Sequence, residues 1–260
     1  MKSPSDVLRA SGTGAGSGPG LKDAKDLSTR TRSGISGLDA LIEGGFIKGS
    51  AISLCGDSGT GKTIFGLQYL YEGATKYDEP GLYISFDEHK RSMFRNMQRF
   101  GWNLTQLEKE KKLLVIEYPP YEVDHFSSQE SVIHDLIDHM GIERMVIDSV
   151  TPLALLYEGE QTRRQGLLKL IDHIRSWDVT TLLISESVGD ITVGAPRSRY
   201  GIEFLTDGLI YLYNVRRKNY RERALEVVKM RGVAHENKVC PMKITPAGMA
   251  VYPKQQFFDE

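Results

Sequence analysis

The chain has 260 residues, 40% of them apolar and 26% charged, with a formal net charge of −1. That length and apolar content suit one large α/β domain with a sizeable core, or two smaller domains. The near-neutral balance excludes a global electrostatic pull toward nucleic acid or membrane, and no apolar run approaches the roughly 20 residues of a membrane helix.

In chain order, residues 1–33 come first. Ser11 to Gly20 is a run of Gly, Ala, Ser, Thr and Pro between polar, charged flanks, so the segment reads as a flexible tail. It carries no apolar core of a secretory signal. From Gly34 to Pro253 the chain reads as one domain, and residues 254–260 as a short C-terminal tail. Ala51–Cys55, Gly81–Phe86, Lys112–Tyr118, Arg144–Val150 and Thr180–Glu186 are short and mainly apolar. Such runs suit strands buried on both faces of a mostly parallel sheet. Helical stretches are predicted near 62–75, 88–100, 128–140 and 161–177. In the last, Leu167, Leu170, Ile171, Ile174 and Trp177 form one apolar, core-facing stripe. Strand–helix alternation predicts an α/β fold with right-handed crossovers. Gly208–Val215, Ala224–Met230, Met242–Thr245 and Met249–Tyr252 then read as antiparallel strands extending one sheet edge.

Gly56 to Thr63 reads Gly-Asp-Ser-Gly-Thr-Gly-Lys-Thr, a phosphate-binding P-loop between a strand and a helix. Its glycines let successive N–H groups face phosphate oxygens, and the helix start adds a positive dipole end. The expected cradle is Gly59, Thr60, Gly61, Lys62, Thr63 and Ile64. Lys62 would bind the β- and γ-phosphates, and the Thr63 hydroxyl would ligate Mg²⁺. Arg144-Met145-Val146-Ile147-Asp148 is an apolar strand ending in an acid, which points to Asp148 as a second metal-holding group; the competing role is a cap on the following loop. Glu88 is the candidate base that activates water, with Asp87 as runner-up; both could instead be acids favoured at a helix start. Lys229 and Arg231, two apart on a strand, are candidate cations for the phosphoryl group or a solvated strand end.

Several other patterns read as structural. Cys55 and Cys240 are too few and too far apart for a disulfide framework, and they favour a reducing, cytoplasmic setting. Asn103-Leu104-Thr105 matches a glycosylation pattern that a cytoplasmic chain leaves bare. His134, Asp138 and His139 suit a solvated helix face better than a metal site. The basic run Arg216, Arg217, Lys218, Arg221 and Arg223 reads as a solvated hairpin loop, with nucleic-acid contact as the alternative.

From about Arg32 to Pro253 the chain resembles a single KaiC-type domain of the RecA superfamily. The resemblance is carried by Gly34-Ile35-Ser36-Gly37-Leu38-Asp39, Gly44-Gly45, the P-loop, Phe100-Gly101-Trp102 and Asp148-Ser149. Further matches are Ser198-Arg199-Tyr200-Gly201-Ile202-Glu203, Thr206-Asp207-Gly208, Lys229-Met230-Arg231-Gly232, His235, Ile244-Thr245 and Val251-Tyr252-Pro253. It implies a RecA-like P-loop fold and ATP with Mg²⁺ between subunits of a homo-oligomeric, hexameric ring. Lys229, Met230, Arg231 and His235 would then serve the neighbour's nucleotide. The family's Glu-Glu pair is Asp87-Glu88 here. Glu203 and Phe204 replace the adjacent Ser and Thr of the clock protein's phosphorylating domain, so autophosphorylation is not expected. One such domain does not imply a circadian role. The alternatives are a RecA-paralogue module that binds DNA in recombination or repair, and a nucleotide-dependent switch with negligible turnover.

Overall fold

The apolar run Ala51–Gly56 forms β3, the strand from which the rest of the sheet is laid out. The computed structural model describes residues 30–119, 122–188 and 196–257. Around β3 lie β4 (Gly81–Ser85), β5 (Leu113–Glu117), β6 (Arg144–Asp148), β7 (Thr180–Glu186), β8 (Gly208–Arg217), β9 (Tyr220–Met230), β10 (Val239–Thr245) and β11 (Gly248–Val251). They form a sheet ordered β11-β10-β9-β8-β3-β7-β6-β4-β5. From β5 to β8 every pairing is parallel; β9, β10 and β11 are antiparallel additions. This is the α/β arrangement, with antiparallel C-terminal strands, that the sequence predicts.

Alternation along the buried strands splits the core in two. Ile52, Leu54, Tyr83, Val146, Leu182 and Ile184 face α1 (Lys62–Glu72), α2 (Lys90–Met97) and α3 (Leu104–Lys109). Leu82, Ile84, Met145, Ile147 and Leu183 face α4 (Val123–Ser128), α5 (Glu130–Met140), α6 (Thr151–Leu155) and α7 (Glu160–Ser176). Within the predicted stripe of α7, Leu167, Ile171, Ile174 and Trp177 are buried and Leu170 is partly so. Asn103 is spent on structure: its side chain accepts the Gln106 N–H at 3.1 Å and caps α3.

The structure revises several boundaries. Folded chain is present ahead of Gly34: β1 (Arg30–Thr31) pairs with β2 (Phe46–Ile47), Thr31 and Ser33 are buried, and Thr31 hydrogen-bonds Thr180 at 2.9 Å. The Gly/Ser-rich run itself lies outside the described residues. At the other end Phe257 is buried beneath the Arg217 guanidinium, so packing continues beyond Pro253. The strand expected over Arg144–Val150 stops at Asp148, because Val150 turns to donate its N–H to the Ile184 carbonyl. Helices α3, α4 and α6 are too short to show a clear period and lie outside the predicted helical stretches. Most of the expected basic hairpin loop is strand, since β8 and β9 pair out to Arg217 and Tyr220.

Arg144 opens β6 with no exposed surface. Its Nε donates to Glu79 at 2.5 Å and a second nitrogen to the Tyr69 carbonyl at 2.9 Å; the guanidinium lies over the rings of Tyr69 and Tyr77. Arg144→Ala leaves a void under Gly73 and strips Glu79 of its partner. Chemical denaturation is expected to show a loss of about 3 kcal/mol, the scale of breaking one side of a buried pair.

Candidate active site

Parallel pairing brings the chemistry-bearing residues to one edge. Gly56 lies level with Glu186, and Ser85 with Asp148, so the loops after β3, β4, β6 and β7 all open on the carboxyl end of the sheet. There they enclose a cleft of about 410 Å³ lined by Asp57, Ser58, Lys62, Thr63, Asp87, Glu88, Asp148, Ser149, Glu186 and Ser187.

The P-loop has the conformation its glycines allow. Gly59 and Gly61 sit at φ +77° and +104°, where a side chain would be strained. The buried Thr60 hydroxyl donates to the Asp57 carbonyl at 2.8 Å and ties the loop to itself. Lys62 and Thr63 open α1, and Ile64 packs against the core behind them. The Lys62 ammonium donates to the carbonyls of Gly56 and Asp57, each at 2.9 Å. Burial lowers its pKa from the ordinary lysine value, while the Asp148 carboxylate acts against that shift.

Thr63 Oγ1 donates to Asp148 Oδ2 at 2.8 Å, joining the two residues expected to hold a metal. Their hard oxygens at the mouth of a phosphate cradle suit Mg²⁺, which takes few protein ligands and keeps water and phosphate for the rest. Burial raises the Asp148 pKa, and hydrogen bonds from Tyr83 and Thr63 pull it back. Asp87 and Glu88 both line the cleft. Asp87 accepts from Ser149 Oγ at 2.9 Å; Glu88 Oε1 accepts from Asn96 at 3.1 Å, with its backbone anchored by Ser85.

Lys229 and Arg231 lie elsewhere. Lys229 pairs with Leu209 and the Arg231 N–H bonds the Asp207 carbonyl, whereas Gly56 is level with Leu212. Arg231 therefore sits at the opposite end of the strands, roughly 16 Å from Gly56 at about 3.3 Å per residue, and Lys229, level with Ser53, about 10 Å from it. Lys229 donates to the carbonyls of Glu203 and Thr206 at 2.9 and 2.7 Å. Burial and the nearby Arg231 lower its pKa. Arg231 is exposed beside Asp207, at 3.4 Å. The Met230 side chain is buried in the core against Gly208, and its carbonyl accepts the Val233 N–H. The partly exposed His235 has a buried Nδ1 with no hydrogen-bond partner among the described residues.

Three contributors were missed from sequence. Tyr83 reaches Asp148 from β4; a tyrosine in a buried strand needs a partner for its hydroxyl, and that was the available signal. Arg223 donates to the Gly59 carbonyl at 3.1 and 3.2 Å, so the basic run ends on the P-loop. Of the same run, Arg221 bonds the Asn214 carbonyl and Arg217 bonds Glu222 and the Phe257 carbonyl. Asp207 gathers Arg175, Arg231 and the Ala51 N–H. His134 and Asp138 approach only to 3.9 Å, and no cluster of three or more His, Cys, Asp or Glu residues able to hold a metal occurs among the described residues. No helix among them is long and apolar enough to cross a membrane. Both cysteines are buried and free, and burial pushes the Cys55 thiol up to about 11.

A mostly parallel sheet with a P-loop after its central strand and a Thr–Asp pair beside it defines a RecA-like P-loop nucleotide-binding domain. A family model described as "ATPase: KaiC" matches residues 31–256, and the chain belongs to that family. The circadian clock oscillator protein KaiC of Prochlorococcus marinus (strain MIT 9313) is 31% identical over 228 residues, covering 85% of this chain and 45% of that protein. The protein of the same name from Synechococcus elongatus is 32% identical over 232 residues, covering 86% and 44%. The chain thus spans less than half the length of these curated relatives. The crystal structure of the KaiC-like protein PH0186 from Pyrococcus horikoshii OT3 superposes with a TM-score of 0.76 at 38% identity, covering 86% of this chain and 99% of that one.

Proposed function

We propose that this chain hydrolyses ATP with Mg²⁺ at the interface between identical subunits of a closed, hexameric ring. One observation carries the reading: the phosphate cradle and Arg231 occupy opposite ends of the sheet, and Lys229 is turned away from the cradle onto the carbonyls of Glu203 and Thr206. One subunit cannot bring both to a single nucleotide, but head-to-tail neighbours can. The residues divide the work as follows. The P-loop N–H groups and Lys62 bind the phosphates, and Lys62 leaves the carbonyls of Gly56 and Asp57 to do so. Thr63 and Asp148 would hold the metal, which would supply positive charge to offset that of the phosphates. Glu88 orients and deprotonates the attacking water. Arg231 and Lys229 reach the neighbour's phosphoryl group, with His235 and the Met230 backbone beside them.

Arg223 shares the cis side through its bond to Gly59. Glu203 and Phe204 have no hydroxyl to phosphorylate, so no autophosphorylation is proposed there. The buried free thiols support a reducing, cytoplasmic setting. DNA binding through residues 216–223 is the weaker reading, because Arg217, Arg221 and Arg223 already bond within the fold.

ATP turnover measured alongside mass by light scattering tests the proposal. Activity confined to an assembled species supports it; full turnover by a strict monomer refutes the shared site. Glu88→Gln is expected to bind ATP normally and lose turnover by about 10²-fold or more, the usual contribution of a general base. Unchanged turnover would transfer the role to Asp87.

A further inference from the structure

Tyr83 carries a polar tip to the metal-holding end of the cleft. It stands in a wholly buried strand and is itself completely buried. Its hydroxyl donates to Asp148 Oδ2 at 2.5 Å, the same oxygen that accepts from Thr63 at 2.8 Å. Register explains the reach. Tyr83 pairs with Val146, and Asp148 lies two residues further along the same face, so the ring spans one diagonal step. A phenylalanine would fill the same space in the core. What the hydroxyl adds is one hydrogen bond, and burying it without that bond would be costly. Among the described residues Asp148 Oδ1 accepts no hydrogen bond, and Asp148 lines the cleft. Two donors therefore pin one carboxylate oxygen and leave the other for the cleft.

We propose that Tyr83 is a positioning residue: its hydroxyl, with that of Thr63, locks the Asp148 carboxylate in the orientation that receives the metal. The inference rests on the reading of Asp148 as a metal-holding group. It needs no contact between Tyr83 and nucleotide. Removing a partner that orients a metal ligand from behind commonly costs roughly 10–100-fold in metal affinity.

The test measures binding of a fluorescent ADP to the full chain across a Mg²⁺ titration. Tyr83→Phe is expected to raise the Mg²⁺ concentration for half-effect about tenfold, while the affinity measured in EDTA stays unchanged. Tyr69→Phe is the matched control. It removes another fully buried hydroxyl, bonded to the Thr180 carbonyl at 3.0 Å; it should lower the thermal midpoint and leave the Mg²⁺ curve in place. A Tyr83→Phe curve that moves no further than the control overturns the proposal. Asp148→Asn separates the two levels. If it leaves the Mg²⁺ dependence untouched, the metal assignment itself fails. If it shifts the curve and Tyr83→Phe does not, only the role of Tyr83 falls.

Discussion

Arg231→Ala is expected to lower ATP turnover about 10³-fold while leaving nucleotide binding to the P-loop intact, the effect of losing an arginine that meets phosphoryl charge from outside. The reason is positional. Arg231 is exposed, paired with Asp207, and lies at the far end of the strands from Lys62. The decisive form of the test mixes two inactive proteins. Arg231→Ala subunits keep a sound phosphate cradle; Lys62→Ala subunits keep a sound cationic pair. Random co-assembly places the two sound halves together at roughly a quarter of interfaces, and turnover should recover in proportion. Failure to recover, with subunit exchange verified by mass spectrometry, would refute the trans assignment.

Lys62→Ala alone is expected to cost about 10²–10³-fold in turnover, and to weaken ATP more than adenosine, because the lost group meets charge and not the base. Equilibrium binding of both ligands checks this. The variant should fold: Lys62 is at the cleft, and its hydrogen bonds go to Gly56 and Asp57 of the same loop. Equal weakening of ATP and adenosine would mean a collapsed loop and not a missing charge.

The parts legible in the sequence were those whose physics is local. A buried strand followed by closely spaced glycines and Lys-Thr needs no tertiary information, so the strand, the loop and the helix start at Lys62 are legible together. Asp148 needed only the apolar run before it. Tyr83 is not legible in the sequence because its contact with Asp148 depends on strand order: β6 lies beside β4, although some sixty residues separate them in sequence. Arg223 is hidden for the same reason, since its reach to Gly59 follows from its place on β9 opposite Asn214 of β8, and from β8 lying against β3. The boundary at Gly34 came from composition, which cannot register that Thr31 bonds Thr180 across the fold. Lys229 and Arg231 read as cations from sequence, but only the register places Arg231 at the far end of the sheet and Lys229 level with Ser53.

The separation of the phosphate cradle from the cationic pair has an arithmetical consequence under the proposed shared site. A lone subunit would own two half-sites and no whole one. An open chain of subunits would always hold one whole site fewer than its members, and closure into a ring would create the last. Specific activity would therefore rise with protein concentration and step upward at closure, so a damaged ring would report its own gap as missing turnover.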